Sequence, residues 1–501
     1  MSSSKSAINL GLERIRALLG HLPPYTRPTC HIAGTNGKGS VTALLSSILT
    51  ASSYRVGRFN SPHLVSILDS ITIDDSPVLK YTYSDMRQRV ETVDRDHNIG
   101  ASSFELLTAT ALMIFEDAAV DIAVVEVGMG GRLDATNVIS DEQILVSALT
   151  AVDLDHQLFL GDTVEKIAIE KAAIARKGRP FVLGFQPHPE VNQVVREVVA
   201  KVGGTVIEAL VPTKRKRDPK LDGEEPLINR IPPFSVPIDL LLPLKGDHQL
   251  QNLGIALTIV SALLVQPDTS LQLHKNITPE TIANGVRNTH WPGRLSFHRI
   301  SLPLPLAHPV SPQEVINTAT VTSRFLVLAD GAHNPASSTT LASFINNVLG
   351  GRISTPSAAT NPITLSYVIA LSHSPPKKPK DTLSPLFAVA ASLLSTTQES
   401  HLYQIRVRVA FLRFTSPDGM PWVRPEPPSK LKGLVSPLLS EAEIWTAADS
   451  GSEPKEDLKE ALNWVTRDQH LKDSEGLIVV AGSLYLVADF YRLLQSQKSV
   501  D

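Results

Sequence analysis

The chain has 501 residues, 42% of them hydrophobic and 19% charged, with a formal net charge of −3. That length suits two or three domains, each able to bury a core. The charge balance gives no electrostatic case for nucleic acid or anionic lipid, and the single cysteine, Cys30, excludes an intrachain disulfide.

In chain order, Ile8, Leu12, Ile15, Leu18 and Leu19 recur at helical spacing with Glu13 among them, and residues 1–22 lack a signal-peptide apolar core. No apolar run approaches the ~20 residues that span a bilayer. The expectation is a protein without a membrane or nucleic-acid partner, in the cytosol, with the mitochondrion left open. Thr29–Ala33 predicts a short strand entering a glycine-rich turn, and Ser40–Thr50 a helix leaving it. Ser103–Glu116 is helical. Asp121–Val127 is a buried strand by its β-branched content, and Ile144–Thr150 is another. Val164–Ala175 predicts a helix and Pro180–Gly184 a strand. Val194–Val202 and Gln251–Leu264 are helical. This alternation predicts a mostly parallel sheet covered on both faces.

The polar stretch Pro212–Pro237 predicts an excursion from that domain, with the basic run Lys214–Arg217 as a solvated loop ahead of Glu224 and Glu225. A second pattern begins after Trp291–Arg294. Phe325–Ala329, Leu365–Leu371, Val407–Phe414 and Leu477–Ala481 are strand-like. Helices near Ala336–Leu349, Leu386–Leu394 and Asp457–Thr466 lie between them. The expected domains are therefore 1–293 and 294–501, the second smaller and also α/β. Segments 301–323, 351–362 and 373–385, rich in Pro and Ser, predict surface insertions.

The strongest local signal is HIAGTNGKGS, from His31 to Ser40, between a strand and a helix. Gly34, Gly37 and Gly39 let the backbone approach a phosphate with its N–H groups turned inward, and the helix N-terminus adds partial positive charge. Lys38 would hold the β and γ phosphates, and Ser40 would coordinate Mg²⁺. The spacing is G-x-x-G-K-x-S rather than G-x-x-x-x-G-K-S. A dinucleotide fingerprint would need G-x-G-x-x-G and an acidic end to the next strand. Here Lys38 interrupts the glycines and the strand ends at Arg58-Phe59.

Glu126 ends the strand DIAVVEV, where the carboxyl ends of parallel strands face a ligand crevice, and so suits the nucleotide's Mg²⁺. Asp134 and Asn137, in GGRLDATN, would position that loop or contact phosphate. Ser61 lies just past a strand in FNSPH, and His156 follows another in LDH. Lys171 lies on an apolar helix, flanked by Ala and Ile, where burial would disfavour its ammonium form. Taken alone, Glu126 also fits a capping glutamate, Ser61 a turn serine, His156 a structural histidine and Lys171 a lysine that snorkels to solvent.

Eight motifs in order, HIAGTNGKGS, SPHL, VVEVGMGGRLDATNV, LDHxxxLGDTVEKIAIEKAAI, LKGDHQLQN, WPGR, DGAHNP and GSLYL, resemble those of the folylpolyglutamate synthase/dihydrofolate synthase branch of the Mur ligase superfamily. The likeness runs over roughly residues 5–495. It implies Mur ligase architecture: an N-terminal P-loop ATPase domain with a mostly parallel sheet, a smaller C-terminal Rossmann-like α/β domain, and a cleft between them. It implies that Gly34, Thr35, Asn36, Gly37, Lys38, Gly39 and Ser40 bind the ATP phosphates. Ser40, Ser61 and Glu126 resemble ligands of a first Mg²⁺, and Glu126, His156 and a carbamylated Lys171 a second metal site. Asn252 resembles an adenine-contacting asparagine, and Arg294 a hinge arginine reaching ATP. Asp330 resembles a nucleotide- or metal-facing aspartate, and His333 a histidine for the chemistry or for glutamate binding. A monovalent cation is compatible with the resemblance, and a monomer is expected.

The chain departs from the family pattern after SPHL. Many folylpolyglutamate synthases read E-R-I-R-I there. This chain has Leu68-Asp69-Ser70-Ile71-Thr72-Ile73, with no arginine, and so looks more like monofunctional fungal dihydrofolate synthases, as does Asp418-Gly419-Met420-Pro421-Trp422. Ala173 replaces a usual Gly, and Leu371–Lys380 replaces a usual Asp-Lys-Asp run. The function implied is ATP-dependent joining of L-glutamate to 7,8-dihydropteroate through an acyl phosphate. Its rivals are glutamate addition to reduced folates, a P-loop NTPase switch, and a catalytically dead binding protein.

Overall fold

Apolar residues in the first 290 positions are either continuous or periodic, and the two patterns become strands and helices respectively. A computed structural model describes residues 10–214, 226–265, 273–303, 322–353, 363–375, 377–399, 405–417, 420, 422–467 and 476–498. It divides into two units, Met1–Trp291 and Pro292–Asp501, two residues short of the boundary expected from the sequence.

The first unit is built on strands β1 (Thr29–Ala33), β2 (Val56–Phe59), β3 (Ile71–Ile73), β4 (Ser76–Pro77), β5 (Ile122–Glu126), β6 (Ile144–Leu149), β7 (Pro180–Leu183) and β8 (Thr205–Glu208). Their order across the sheet is β4-β3-β2-β5-β1-β6-β7-β8. The pairs from β2 to β8 are parallel, and β3 and β4 are added antiparallel at one edge. β1, β5 and β6 are buried at every residue, as central strands covered on both faces must be.

The helices are α1 (Glu13–Gly20), α2 (Lys38–Ala51), α3 (Lys80–Asp96), α4 (Ser103–Asp117), α5 (Gln157–Leu160), α6 (Val164–Ala172), α7 (Pro189–Val202), α8 (His248–Val265), α9 (Leu273–Asn276) and α10 (Pro279–Asn288). α2, α8 and α10 pack on the face that carries Ile32, Val124 and Val146. α1, α3 and α4 cover Ala123 and Val125 on the other face, and α6 and α7 cover Leu149 and Phe181 beside them. α4 starts cleanly because Ser102 and Glu105 cap each other's backbone N–H groups reciprocally.

α8 is the one described helix long and apolar enough by composition to cross a membrane, with a mean hydropathy of 1.4; 72% of it is buried inside the fold, so a core position between α2 and the sheet accounts for its composition. Pro212–Pro237 is more than a polar excursion. Its described parts include β9 (Thr213–Lys214) and β10 (Pro226–Asn229), which join β11 (Ile238–Leu241) in a three-stranded antiparallel sheet. Leu227, Ile231, Ile238 and Leu240 from this region enter the α2/α8 core. Their alternation with polar residues hides them from a search for continuous apolar runs.

The second unit has β12 (Ser296–Pro303), β13 (Thr322–Ala329), β14 (Ile363–Ile369), β15 (Ile405–Phe411), β16 (Glu443–Thr446) and β17 (Leu477–Ala481), in the order β12-β13-β17-β14-β15-β16. All neighbours are parallel except the β12–β13 pair. Helices α11 (Pro335–Ile353), α12 (Pro379–Glu399) and α13 (Pro428–Val435) supply one core, while α14 (Pro454–Thr466) and α15 (Leu484–Lys498) pack against β15 and β17. The expected insertion at 373–385 is in part the first turns of α12, which bury Thr382 and Leu383. Ile8, Asp418, Gly419, Pro421, most of the basic run and the insertions across 304–321 and 354–362 lie outside the described residues.

Candidate active site at the phosphate loop

β1 delivers the chain to Gly34, and α2 begins at Lys38, so the loop Gly34–Gly37 crosses the carboxyl end of the parallel sheet. Gly34 has φ 148° and a Cβ there would overlap Thr150 Oγ1; Gly37 has φ 97° and a Cβ there would overlap Asn252 Oδ1. Both positions therefore require glycine, by backbone and by space. The loop is docked on the segment after β6. Thr35 and Asn36 N–H groups donate to Ala151 O at 2.9 and 3.2 Å, and Thr35 Oγ1 donates to Asp153 O at 3.1 Å.

Two lysines converge on this loop. Lys38 Nζ donates to Gly34 O at 3.2 Å and Thr35 O at 3.4 Å, and lies 3.7 Å from Glu126 Oε1. Lys171, buried near the end of α6, donates to the same Gly34 O at 2.9 Å. Burial, and then the charge of Lys38, push the Lys171 amine down to about 7, with Asp155 and Asp134 opposing. The lysine therefore does not snorkel. Glu126 is 5% exposed at the end of β5. Asn60 Nδ2 donates at 2.6 Å both to Glu126 Oε2 and to Thr42 Oγ1 on α2. Ser61 follows Asn60, and its Oγ is buried without a hydrogen-bond partner among the described residues.

Ser40 and Asn252 meet through a residue not singled out in the sequence. Gln249 Nε2 donates to Ser40 Oγ at 3.2 Å and Gln249 Oε1 accepts from Asn252 Nδ2 at 2.9 Å. Gln249 and Asn252 share one face of the first turn of α8, three residues apart. Asn60 and Gln249 carried only faint signals, an amide beside Ser61 and an amide within HQLQN. Arg58 is a further surprise. Its guanidinium is buried, stacks over Trp291 at 5.1 Å and lies 3.5 Å from Asp75.

Asp134 shapes the loop after β5. Its carboxylate accepts from Met129 N at 2.8 Å, Thr136 N at 3.0 Å and Thr136 Oγ1 at 2.6 Å, while burial raises its pKa against those bonds. Asn137 Oδ1 accepts from Arg176 Nη2 at 2.7 Å. Arg132 N donates to Glu170 O at 2.9 Å, tying the same loop to α6 beside Lys171.

His156 follows Asp155, whose charge acts on the Lys171 amine. Its side chain is exposed and its backbone is left-handed, φ 50°, just before α5. Among the described residues no three His, Cys, Asp or Glu side chains are grouped as a metal site. In the second unit, Asp330 is buried at the end of β13, where its carboxylate accepts from Leu295 N and Ala332 N at 2.8 Å each. Burial raises its pKa and Arg294 opposes the rise. His333 is exposed, with Nδ1 2.8 Å from Gly331 O.

Residues 313–493 match the family model described as the C-terminal domain of dihydrofolate synthetase. Dihydrofolate synthetase of Saccharomyces cerevisiae is 32% identical over 494 residues, which cover 98% of this chain and 99% of the yeast protein. The chain belongs to the folylpolyglutamate synthase/dihydrofolate synthase family. Within this family, the probable dihydrofolate synthetase of Schizosaccharomyces pombe is 32% identical over 97% of this chain and 99% of its own length. Mycobacterium tuberculosis folylpolyglutamate synthase complexed with ADP and AMPPCP superposes with a TM-score of 0.70 and 27% identity, over 96% of this chain and 95% of that one. The two α/β units thus carry the Mur ligase architecture of the family.

Proposed function

We propose that this protein is a dihydrofolate synthase, an ATP-dependent ligase that joins L-glutamate to 7,8-dihydropteroate and releases ADP and phosphate. The observation that carries it is the meeting of Lys38, Lys171 and Glu126 around Gly34, on a glycine loop that opens a helix. A free carboxylate is a poor acyl donor, so one pteroate oxygen takes the γ-phosphoryl group of ATP. The glutamate amine then attacks the acyl carbon, and phosphate leaves. Lys38 and the N-terminus of α2 supply the positive charge that the transferring phosphoryl group needs. The nucleotide half of the reaction belongs to the first unit and the glutamate half to the second.

The donor set fits magnesium. Ser40 Oγ, Ser61 Oγ, which is buried and has no hydrogen-bond partner among the described residues, and the buried Glu126 carboxylate are hard oxygen donors, the type this ion prefers. Bound there, magnesium would neutralise phosphate charge. Lys171 is suited to carbamylation, since an amine pushed down to about 7 has its lone pair available to carbon dioxide near neutral pH. The N–C bond forms as an N–H proton leaves, giving a carboxylate-like group. With Glu126 and His156 it would complete a second metal site.

The test supplies labelled glutamate and ATP with either dihydropteroate or tetrahydrofolate. Dihydropteroate-dependent amide formation with stoichiometric ADP is expected. Faster elongation of tetrahydrofolate would make the protein a folylpolyglutamate synthase, a reading favoured by the likeness to the mycobacterial enzyme. ATP turnover independent of glutamate would remove both.

A further inference from the structure

Trp291, the last residue of the first unit, stands against the phosphate loop, and the chemistry described so far gives it no task. Its path there starts where α10 is anchored on α2. A Cβ on Gly285 would overlap Ile48 Cα, and Ser47 Oγ donates to Gly285 O at 2.7 Å. From that crossing the chain runs back along α2, leaves α10 at Asn288 and brings Trp291 to Gly39, in the first turn of α2. A Cβ on Gly39 would overlap Trp291 Cζ2.

Gly34 and Gly37 combine a positive φ with a shortage of space, but Gly39 lies inside a helix, where the backbone suits any residue and glycine weakens the structure. It is the indole that requires glycine there. The first turn of α2 closes with Val41 N donating to Gly37 O at 3.0 Å. The N–H groups of Lys38, Gly39 and Ser40 therefore precede that bond, at the helix start where phosphate is held. An indole seated on Gly39 sets where those donors stand.

The ring is held in turn from β2. Arg58 Cζ lies 5.1 Å from the centroid of the Trp291 ring. Nε and Nη1 of this buried guanidinium have no hydrogen-bond partner among the described residues. An arginine kept for stability alone would spend those donors on carbonyls or carboxylates. The charge of Arg58 is met instead by the indole face, by Asp75 at 3.5 Å and by Glu126. Asp75 is tied to α2 by Ser46 Oγ, which donates to it at 2.8 Å.

We infer that Trp291 is the wedge that fixes Gly39, and with it the phosphate-binding turn, and that Arg58 is the positioning residue of that wedge. The inference rests on the nucleotide half of the function proposed above, and every residue in it belongs to the first unit. Arg58 acts on nucleotide through the ring, without touching phosphate.

The test measures ADP affinity of the full chain by calorimetry with magnesium present, and the ATP KM and kcat of dihydrofolate formation. Arg58→Met is expected to weaken ADP binding about tenfold, with the loss falling on the ATP KM rather than on kcat. Arg58→Lys restores a cation over the ring and recovers most of that loss. In a Trp291→Leu background Arg58→Met adds no further loss, because the ring it acts through is gone. Gly39→Ala weakens ADP binding about tenfold or more in the wild-type background, and far less once Trp291→Leu has opened the space. If Gly39→Ala does not fold, the Arg58 and Trp291 variants decide alone. Unchanged affinity in Arg58→Met makes Arg58 a structural residue and overturns the inference. So does an Arg58→Met loss that persists without the indole, which would put the guanidinium on phosphate, and so does a Gly39→Ala loss that is the same with and without Trp291. A wild type that binds ADP but forms no dihydrofolate overturns the ligase function, and the affinities still judge the wedge.

Discussion

Lys38 and Lys171 present their ammonium groups to one acceptor, the carbonyl oxygen of Gly34, at 3.2 and 2.9 Å. Two cations cannot share one carbonyl in a buried place without cost, and the more buried of them yields. Lys171 is pushed down to about 7 from its ordinary 10.5. Between those values the unfolded chain holds the proton and the folded chain does not, so stability rises with pH across that window. Lys171→Met, which keeps the volume and removes the charge, should flatten that rise by about 1 kcal/mol per pH unit. Urea unfolding in carbon dioxide-free buffer, at several pH values from near neutrality upward, checks this. Parallel slopes for the two proteins would mean that Lys171 is not buried as an amine.

Asn60 is predicted to govern magnesium use without touching the ion. Its amide donates at once to Thr42 and to Glu126, which sets the direction of the carboxylate. Asn60→Leu removes one buried donor from each of the two acceptors, which costs about 1–3 kcal/mol of stability. The magnesium concentration for half-maximal activity should rise about 10–100-fold, as is usual when the support of a ligand is removed. Wild-type magnesium dependence in Asn60→Leu would show that Glu126 is held by other means.

Much of this arrangement was legible in the sequence, and the reasons for the rest are physical. Strands buried on both faces are continuous apolar runs, so β1, β5, β6 and β17 stood out to within a residue or two. β12 alternates Phe297 and Arg299, exposed or partly so, with its other face, and β10 and β11 are four residues each, too short for periodicity to register. α3 was missed because it buries only Met86 and Val90 on an otherwise polar surface. Gly34, Lys38, Glu126 and Lys171, far apart in sequence, lie together in the fold. Arg58, Asn60 and Gln249 did not announce themselves, since an Arg, an Asn or a Gln acquires its role from a neighbour distant in sequence.

Gly37 and Asn252 should show a coupled defect. Gly37→Ala places a methyl group where φ is 97° and where Asn252 Oδ1 already stands. The left-handed backbone costs about 1–2 kcal/mol in any non-glycine residue, and the side-chain overlap adds to it. Asn252→Ala in the same chain relieves the overlap and leaves the backbone cost. Nucleotide affinity measured by calorimetry should therefore fall less in the double variant than the two single losses sum to. Strict additivity would mean that the loop moves away from α8 when Gly37 is replaced.

Asp330 is expected to matter for the architecture of the second unit as well as for any ligand. Its two carboxylate oxygens accept from Leu295 N and Ala332 N, so one side chain joins the start of β12 to the turn after β13. Asp330→Asn keeps the shape but turns one acceptor into a donor facing an N–H group. One buried pair is lost, and stability should drop by about 1–3 kcal/mol. A residue that served nucleotide or metal alone would leave thermal unfolding unchanged and weaken only the ligand's stabilising effect. Melting curves with and without ATP and magnesium separate the two: the structural role predicts a lower midpoint in both, by several degrees if the second unit unfolds on its own, because a loss of this size is a large share of a domain's net stability.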